Sequence, residues 1–414
     1  MKRKILIATL TAASFLALAV AAPVSAQLIT RSVLDYNPNW YPKEFPAQRD
    51  PAIPFQADID FFDLPLPEHF GEIVATTTNS KGHVFILSRG NVRGNLAGGS
   101  ASQVFEFDDK GHFVRELGRN IYSFGYGHGI RTDADDNIWV VDKGTNMVTK
   151  FDDRTGKVLM VLGRRPELTE HYWQDQTRED PNAEPQVGRF GEPTDIAFDS
   201  LGNIYISDGY VHSRVVKYDK HGKYLGYWGK RGRGPGEFWT VHNIAIDSRD
   251  RVWVADRSNG RLQIFDTNGT FIKEVIVNVP TPTAQPQMNH QFPSDINVPV
   301  NGRGTGNLAY RPGAPDALCI PKDGSNTVFV GDLYPGRVYK LDLEGRALGW
   351  FGHGVGKLPG YTGATHGLAC PNQNLIYTAE FQNWRVQRFV LNPTGPTTPS
   401  SPTAGPTATT PPPR

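Results

Sequence analysis

Three histidines of this chain fall at matching points of a recurring pattern, in Gly127-His128-Gly129-Ile130, Val241-His242-Asn243-Ile244 and Thr365-His366-Gly367-Leu368. Three neutral imidazoles that leave a fourth position open make a catalytic zinc site, as opposed to a closed structural one. One such histidine alone would be read as the hydrogen-bonding partner of a turn, in the manner of His112 and His221. Three at equivalent positions are not explained that way. Other chemistry-bearing residues recur at a second kind of position: Arg89 in Ser88-Arg89-Gly90, Tyr210 in Asp208-Gly209-Tyr210 and Arg257 in Asp256-Arg257-Ser258. Taken singly, the arginines read as solvated loop charges and the tyrosine as packing. Beside a zinc, two guanidiniums and a phenol suit an anionic substrate, because arginine grips a carboxylate with paired hydrogen bonds.

What positions these residues is an internal repeat. Ile204-Tyr205-Ile206-Ser207-Asp208 is echoed by Val252-Trp253-Val254-Ala255-Asp256, Ile138-Trp139-Val140-Val141-Asp142 and Val328-Phe329-Val330-Gly331-Asp332, with looser copies at 82–88 and 374–380. A short strand precedes each copy, as at 195–199 and 243–247. A third strand follows, as at Arg214–Tyr218 and Arg261–Phe265, and a Gly/Asn/Asp turn leads to a fourth, as at 224–229. Alternating, aromatic-rich strands split by such turns read as antiparallel meanders. Four strands per unit and six units predict an all-β fold, a six-bladed β-propeller of four-stranded antiparallel blades, whose closure leaves few exposed edges. The arginines opening the third strand (Arg214, Arg261, Arg337, Arg385) recur with the repeat and read as structural.

In such a ring the innermost strand of every blade starts on one face, which it shares with the loops joining the second and third strands. Histidine stands at that start in blades two, four and six, while the odd blades have Val74, Thr194 and Asp316. Alternate blades of six lie about a third of a turn apart, so the three imidazoles are expected to converge on the axis.

The ends read differently. Lys2, Arg3 and Lys4, an apolar run from Ile5 to about Ala22, and Val24-Ser25-Ala26 have the layout of a signal peptide over residues 1–26, which predicts a secreted or periplasmic protein with no membrane segment after cleavage. Residues 27–67 read as an extended segment that can contribute to ring closure, 68–391 as the propeller, and 392–414 as a disordered Pro/Thr/Ser-rich tail. With 43 basic against 42 acidic residues, nothing points to nucleic acid, and a monomer is expected. Cys319 and Cys370 can pair in an oxidising compartment, but the sequence leaves this open. Long insertions at about 164–188 and 277–315 are expected to emerge on the site face.

The repeat resembles the NHL family. Within it, residues 71–272 are similar to the peptidyl-α-hydroxyglycine α-amidating lyases. The likeness is carried by Ser88-Arg89-Gly90, His128-Gly129-Ile130, Glu192-Pro193-Thr194-Asp195, Ser207-Asp208-Gly209-Tyr210, Val241-His242 and Ala255-Asp256-Arg257, and more weakly by His366-Gly367-Leu368. The resemblance implies a zinc-dependent carbon–nitrogen lyase whose partner is a small carboxylate-bearing or peptidyl substrate of the α-hydroxyglycine type, split into an amide and glyoxylate. His128, His242 and His366 would hold zinc, Tyr210 would act as base, and Arg89 and Arg257 would orient the carboxylate. Gly367 stands where the family pattern has a calcium-binding Asp, which leaves calcium in doubt. Val211, Gly191, Trp253 and Ile264 stand where its blade disulfides would be. Two other classes fit less of the pattern. A non-catalytic NHL propeller binding a protein or glycan does not use the histidines, and a calcium-dependent lactonase propeller calls for acidic side chains in the channel.

Overall fold

The computed structural model describes residues 51–90, 102–165, 187–277 and 313–393. The expected signal peptide, the proline-rich tail and most of both insertions lie outside the described residues. Six sheets of four antiparallel strands follow one another in chain order. Their inner strands are Ile73–Thr78, Gly127–Thr132, Asp195–Phe198, Val241–Ile246, Ala317–Cys319 and Thr365–Asn372. The sixth blade draws its outermost strand from the N-terminal side. Phe55–Asp58 pairs antiparallel with Arg385–Leu391, Phe55 facing Leu391 and Asp58 facing Arg388, so the two ends of the ring are hydrogen-bonded into one sheet.

Strand alternation sends apolar side chains to both faces of each blade, and neighbouring blades bury them against each other. The core is accordingly split into clusters, one at each blade junction. Trp253, Leu262, Val328 and Tyr339 fill the junction of blades four and five. Phe85, Val104, Val140 and Phe151 fill that of blades one and two. Phe55 and Ala57 pack into the cluster between blades five and six. Cys319 and Cys370, one on each of those inner strands, form a disulfide.

The recurrent acidic residue ending the second strand and the arginine opening the third are in register and paired, as Asp208 with Arg214, Asp256 with Arg261 and Glu380 with Arg385. Asp208 accepts from Arg214 Nε at 2.9 Å, His212 Nδ1 at 2.7 Å and the Gly191 amide at 2.6 Å, which ties the loop carrying Tyr210 to the preceding connection. Blade five departs from this. Asp332 accepts from Tyr339 Oη, and the Arg337 guanidinium instead lies 4.0 Å over the Trp350 ring. Removing one member of a buried ion pair strands the other charge. Asp208→Ala should therefore cost about 3–5 kcal/mol in chemical denaturation. Arg346→Ala, which removes the exposed partner of Asp342, should cost at most about 1 kcal/mol. Equal, small losses would show that the pairing is not what holds these loops.

Candidate metal centre and its rim

Each histidine is the extra residue of a β-bulge. Pairing of the first two strands skips from Gly127 to Gly129, from Val241 to Asn243 and from Thr365 to Gly367. A bulge re-aims the side chain it carries, and here it turns each imidazole to the axis. His128, His242 and His366 are all buried, and their ring centroids are 4.6, 4.8 and 4.8 Å apart, a nearly equilateral triangle. One ring nitrogen from each can be chosen so that all lie within 4.8 Å of one another.

The odd blades fix the tautomer. His128 Nδ1 donates to the Thr194 carbonyl at 2.8 Å, His242 Nδ1 to that of Asp316 at 2.7 Å and His366 Nδ1 to that of Val74 at 2.8 Å. A carbonyl only accepts, so Nδ1 carries the hydrogen and Nε2 presents its lone pair. Burial first, then the neighbouring cations and imidazoles, pushes all three well below the usual histidine value and keeps them neutral. Among the described residues His242 Nε2 is buried without a partner. Three neutral, oriented nitrogens, one of them unsatisfied, suit a metal ion with an open position.

The predicted rim residues are there too. Tyr210 Oη lies 3.2 Å from His128 Nε2 and 3.5 Å from Arg257 Nη1. Arg257 also reaches Asp316 Oδ1 at 3.3 Å. Arg89 donates through Nε to the Gly127 carbonyl at 2.7 Å and stacks 4.0 Å over the Tyr126 ring. Burial alone would raise the Tyr210 phenol, but Arg257, Lys143 and Arg89 outweigh it and bring it below its usual 10. Asp316 is pushed up to about 7 by burial, against the pull of Arg257.

Sequence reasoning missed Lys143, whose Nζ lies 3.9 Å over the Tyr210 ring and 3.3 Å from Glu192 Oε2. It follows Asp142 as Arg89 follows Ser88 and Arg257 follows Asp256, so the same loop comparison carried to blade two would have found it. It also missed Asp316, which was noted only as an odd-blade counterpart of the histidines. Of the four positions where the resemblance would place disulfide cysteines, Trp253 lies opposite Ile264 in register, and the Val211 amide donates to the Gly191 carbonyl at 3.1 Å.

Calcium does not suit this chain. Gly367 offers no carboxylate, and a Cβ there would lie 2.8 Å from the Val74 carbonyl oxygen. Asp195, the carboxylate beside that layer, is taken by Arg131.

Fold and site together define the class, a six-bladed β-propeller with a buried three-histidine cluster at one end of its channel and a cationic rim. A family model described as a 6-bladed beta-propeller matches residues 189–275. The chain is similar to proteins named for amidation and for the NHL repeat. It is 27% identical over 351 residues to peptidylglycine alpha-amidating monooxygenase of Rattus norvegicus, covering 73% of this chain and 33% of that protein. It is 28% identical over 234 residues to the probable peptidyl-alpha-hydroxyglycine alpha-amidating lyase pgal-1 of Caenorhabditis elegans, covering 51% and 60% respectively. NHL repeat-containing protein 3 of Homo sapiens matches at 28% over 211 residues, covering 48% and 54%. The chain thus spans a third of the rat relative's length and little more than half of the other two. No helix among the described residues is long and apolar enough to cross a membrane, and the disulfide fits an oxidising compartment.

Proposed function

We propose that the protein is an exported zinc-dependent lyase that cleaves the C–N bond of an α-hydroxyglycine-type substrate, giving an amide and glyoxylate. The observation that carries this is the triangle of neutral histidines, each locked by a carbonyl of the next blade and facing Tyr210 under two arginines. His128, His242 and His366 would hold the zinc through Nε2. What zinc supplies when bound is Lewis acidity toward a substrate oxygen, which acidifies the hydroxyl. Tyr210 Oη removes the hydroxyl proton, the carbonyl of glyoxylate forms, the C–N bond breaks, and the departing amide nitrogen takes up a proton. Arg257 and Arg89 hold the carboxylate and offset the charge that develops as the bond breaks. Lys143 adds to this positive field.

Zinc-loaded protein given a peptidyl-α-hydroxyglycine should release glyoxylate and peptide amide in equal amounts. Zinc-bound protein that releases no glyoxylate would remove this substrate, and protein that takes up no zinc would leave a propeller that binds a protein or glycan as the better account. Arg257→Ala should lower kcat/KM by about 10²–10³-fold with zinc retained, the usual loss for one preorganised donor. A loss below about threefold would take Arg257 out of the site.

A further inference from the structure

One layer below the histidines the side chain of Arg131 crosses the channel. Arg131 lies three residues beyond His128 on the inner strand of blade two, and its guanidinium reaches four other blades. Nε and Nη2 donate to the two oxygens of Asp195 on blade three at 3.0 and 2.7 Å. Nη2 also reaches Asn243 Oδ1 on blade four at 3.1 Å and the Leu318 carbonyl on blade five at 3.0 Å. Nη1 donates to the Leu368 carbonyl on blade six at 3.0 Å. Asn243 extends the network, accepting from the Leu318 amide at 3.0 Å and donating to the His242 carbonyl at 3.0 Å. Beneath the guanidinium a cavity of ≈ 440 Å³, lined by Ile196, Ile244, Cys319 and Cys370, continues to the opposite face.

These contacts fall on the segments that carry the metal-binding histidines. His128 shares the strand of Arg131, His242 adjoins Asn243, and His366 stands two residues before Leu368. We propose that Arg131 is the axial positioning residue of the histidine cage, a fixed organic cation that cross-links five inner strands and makes a structural metal ion at that level unnecessary. Five N–H donors on a rigid plane that stays charged suit this task, since they converge on carbonyl and carboxylate oxygens much as a cation would. Lysine, with a single charged nitrogen, cannot span the same set.

The inference rests on reading the histidines as metal ligands, and its test separates the two. Wild type, Arg131→Met and Arg131→Lys are prepared as full chains, and zinc affinity, the visible spectrum with cobalt in place of zinc, and the thermal midpoint of the zinc-loaded protein are measured in calcium-free buffer and with added calcium. Wild type should hold zinc and show the same midpoint without and with calcium. Both variants should bind zinc about 10–100-fold more weakly, the loss common when partners that orient metal ligands are removed, with an altered cobalt spectrum. If Arg131→Met does not fold, Arg131→Lys decides. Unchanged zinc affinity and cobalt spectrum in a folded variant would overturn the positioning role, and a wild-type midpoint raised by calcium would overturn the substitution for a metal ion. Wild type that binds no zinc would sink the cage reading itself, and the inference with it.

Discussion

Protein purified with zinc supplied should carry about one zinc per chain, and His242→Ala should lose both that metal and turnover. His221→Ala, which alters an exposed turn, should change neither. The asymmetry follows from burial. His242 is fully buried, its Nδ1 is committed to the Asp316 carbonyl, and its Nε2 has no other use among the described residues. Alanine there leaves two imidazoles on one side of an open triangle, too few to hold zinc against solvent. The Lewis acidity lost is worth several kcal/mol, so glyoxylate release should fall by roughly 10³-fold or more. The His128→Ala and His366→Ala variants should behave alike, because the three positions are related by the ring. A single histidine whose removal leaves zinc in place would mean that the triangle is not the ligand set.

The part of this site that was legible in the sequence is the part the repeat carries. Strand two ends on an acidic residue in blades two, three, four and six, and directly before Asp332 in blade five, so the blades can be aligned by eye. Alignment then exposes histidine in every second one. What it hides is the bulge that turns those histidines inward, since an extra residue in a strand leaves no mark in hydrophobic alternation. Nor does it show that the odd-blade counterparts contribute through backbone carbonyls, for which Val74 serves as well as Asp316. Arg131 escaped for a related reason: a lone arginine in an inner strand looks like any surface charge until five strands close around it. Phe55–Asp58 carries no repeat signature at all, because an outer strand packs on one side only and is held by backbone pairing.

Tyr210→Phe should lower kcat by about 10²–10⁴-fold, the range for a lost general base, while zinc content and thermal stability stay close to wild type. Phenylalanine keeps the ring that packs edge-on against His128 and His242 and that carries Lys143 on its face. Only the hydroxyl is removed. A tyrosine with its usual value near 10 is a poor base at neutral pH because little of it is ionised. Here Arg257, Lys143 and Arg89 more than offset burial and favour the phenolate, so in the proposed mechanism the cations that would grip a carboxylate would also prepare the base. Arg257 joins the two tasks directly, since one Nη1 lies within reach of both Tyr210 Oη and Asp316. Because the hydroxyl acts on the bond-breaking step, the loss should fall on kcat with KM little changed. A Phe variant that retains zinc and turns over within about threefold of wild type would strike Tyr210 from the mechanism and move the search for the base to Asp316, whose carboxyl is held near neutrality beside the same arginine.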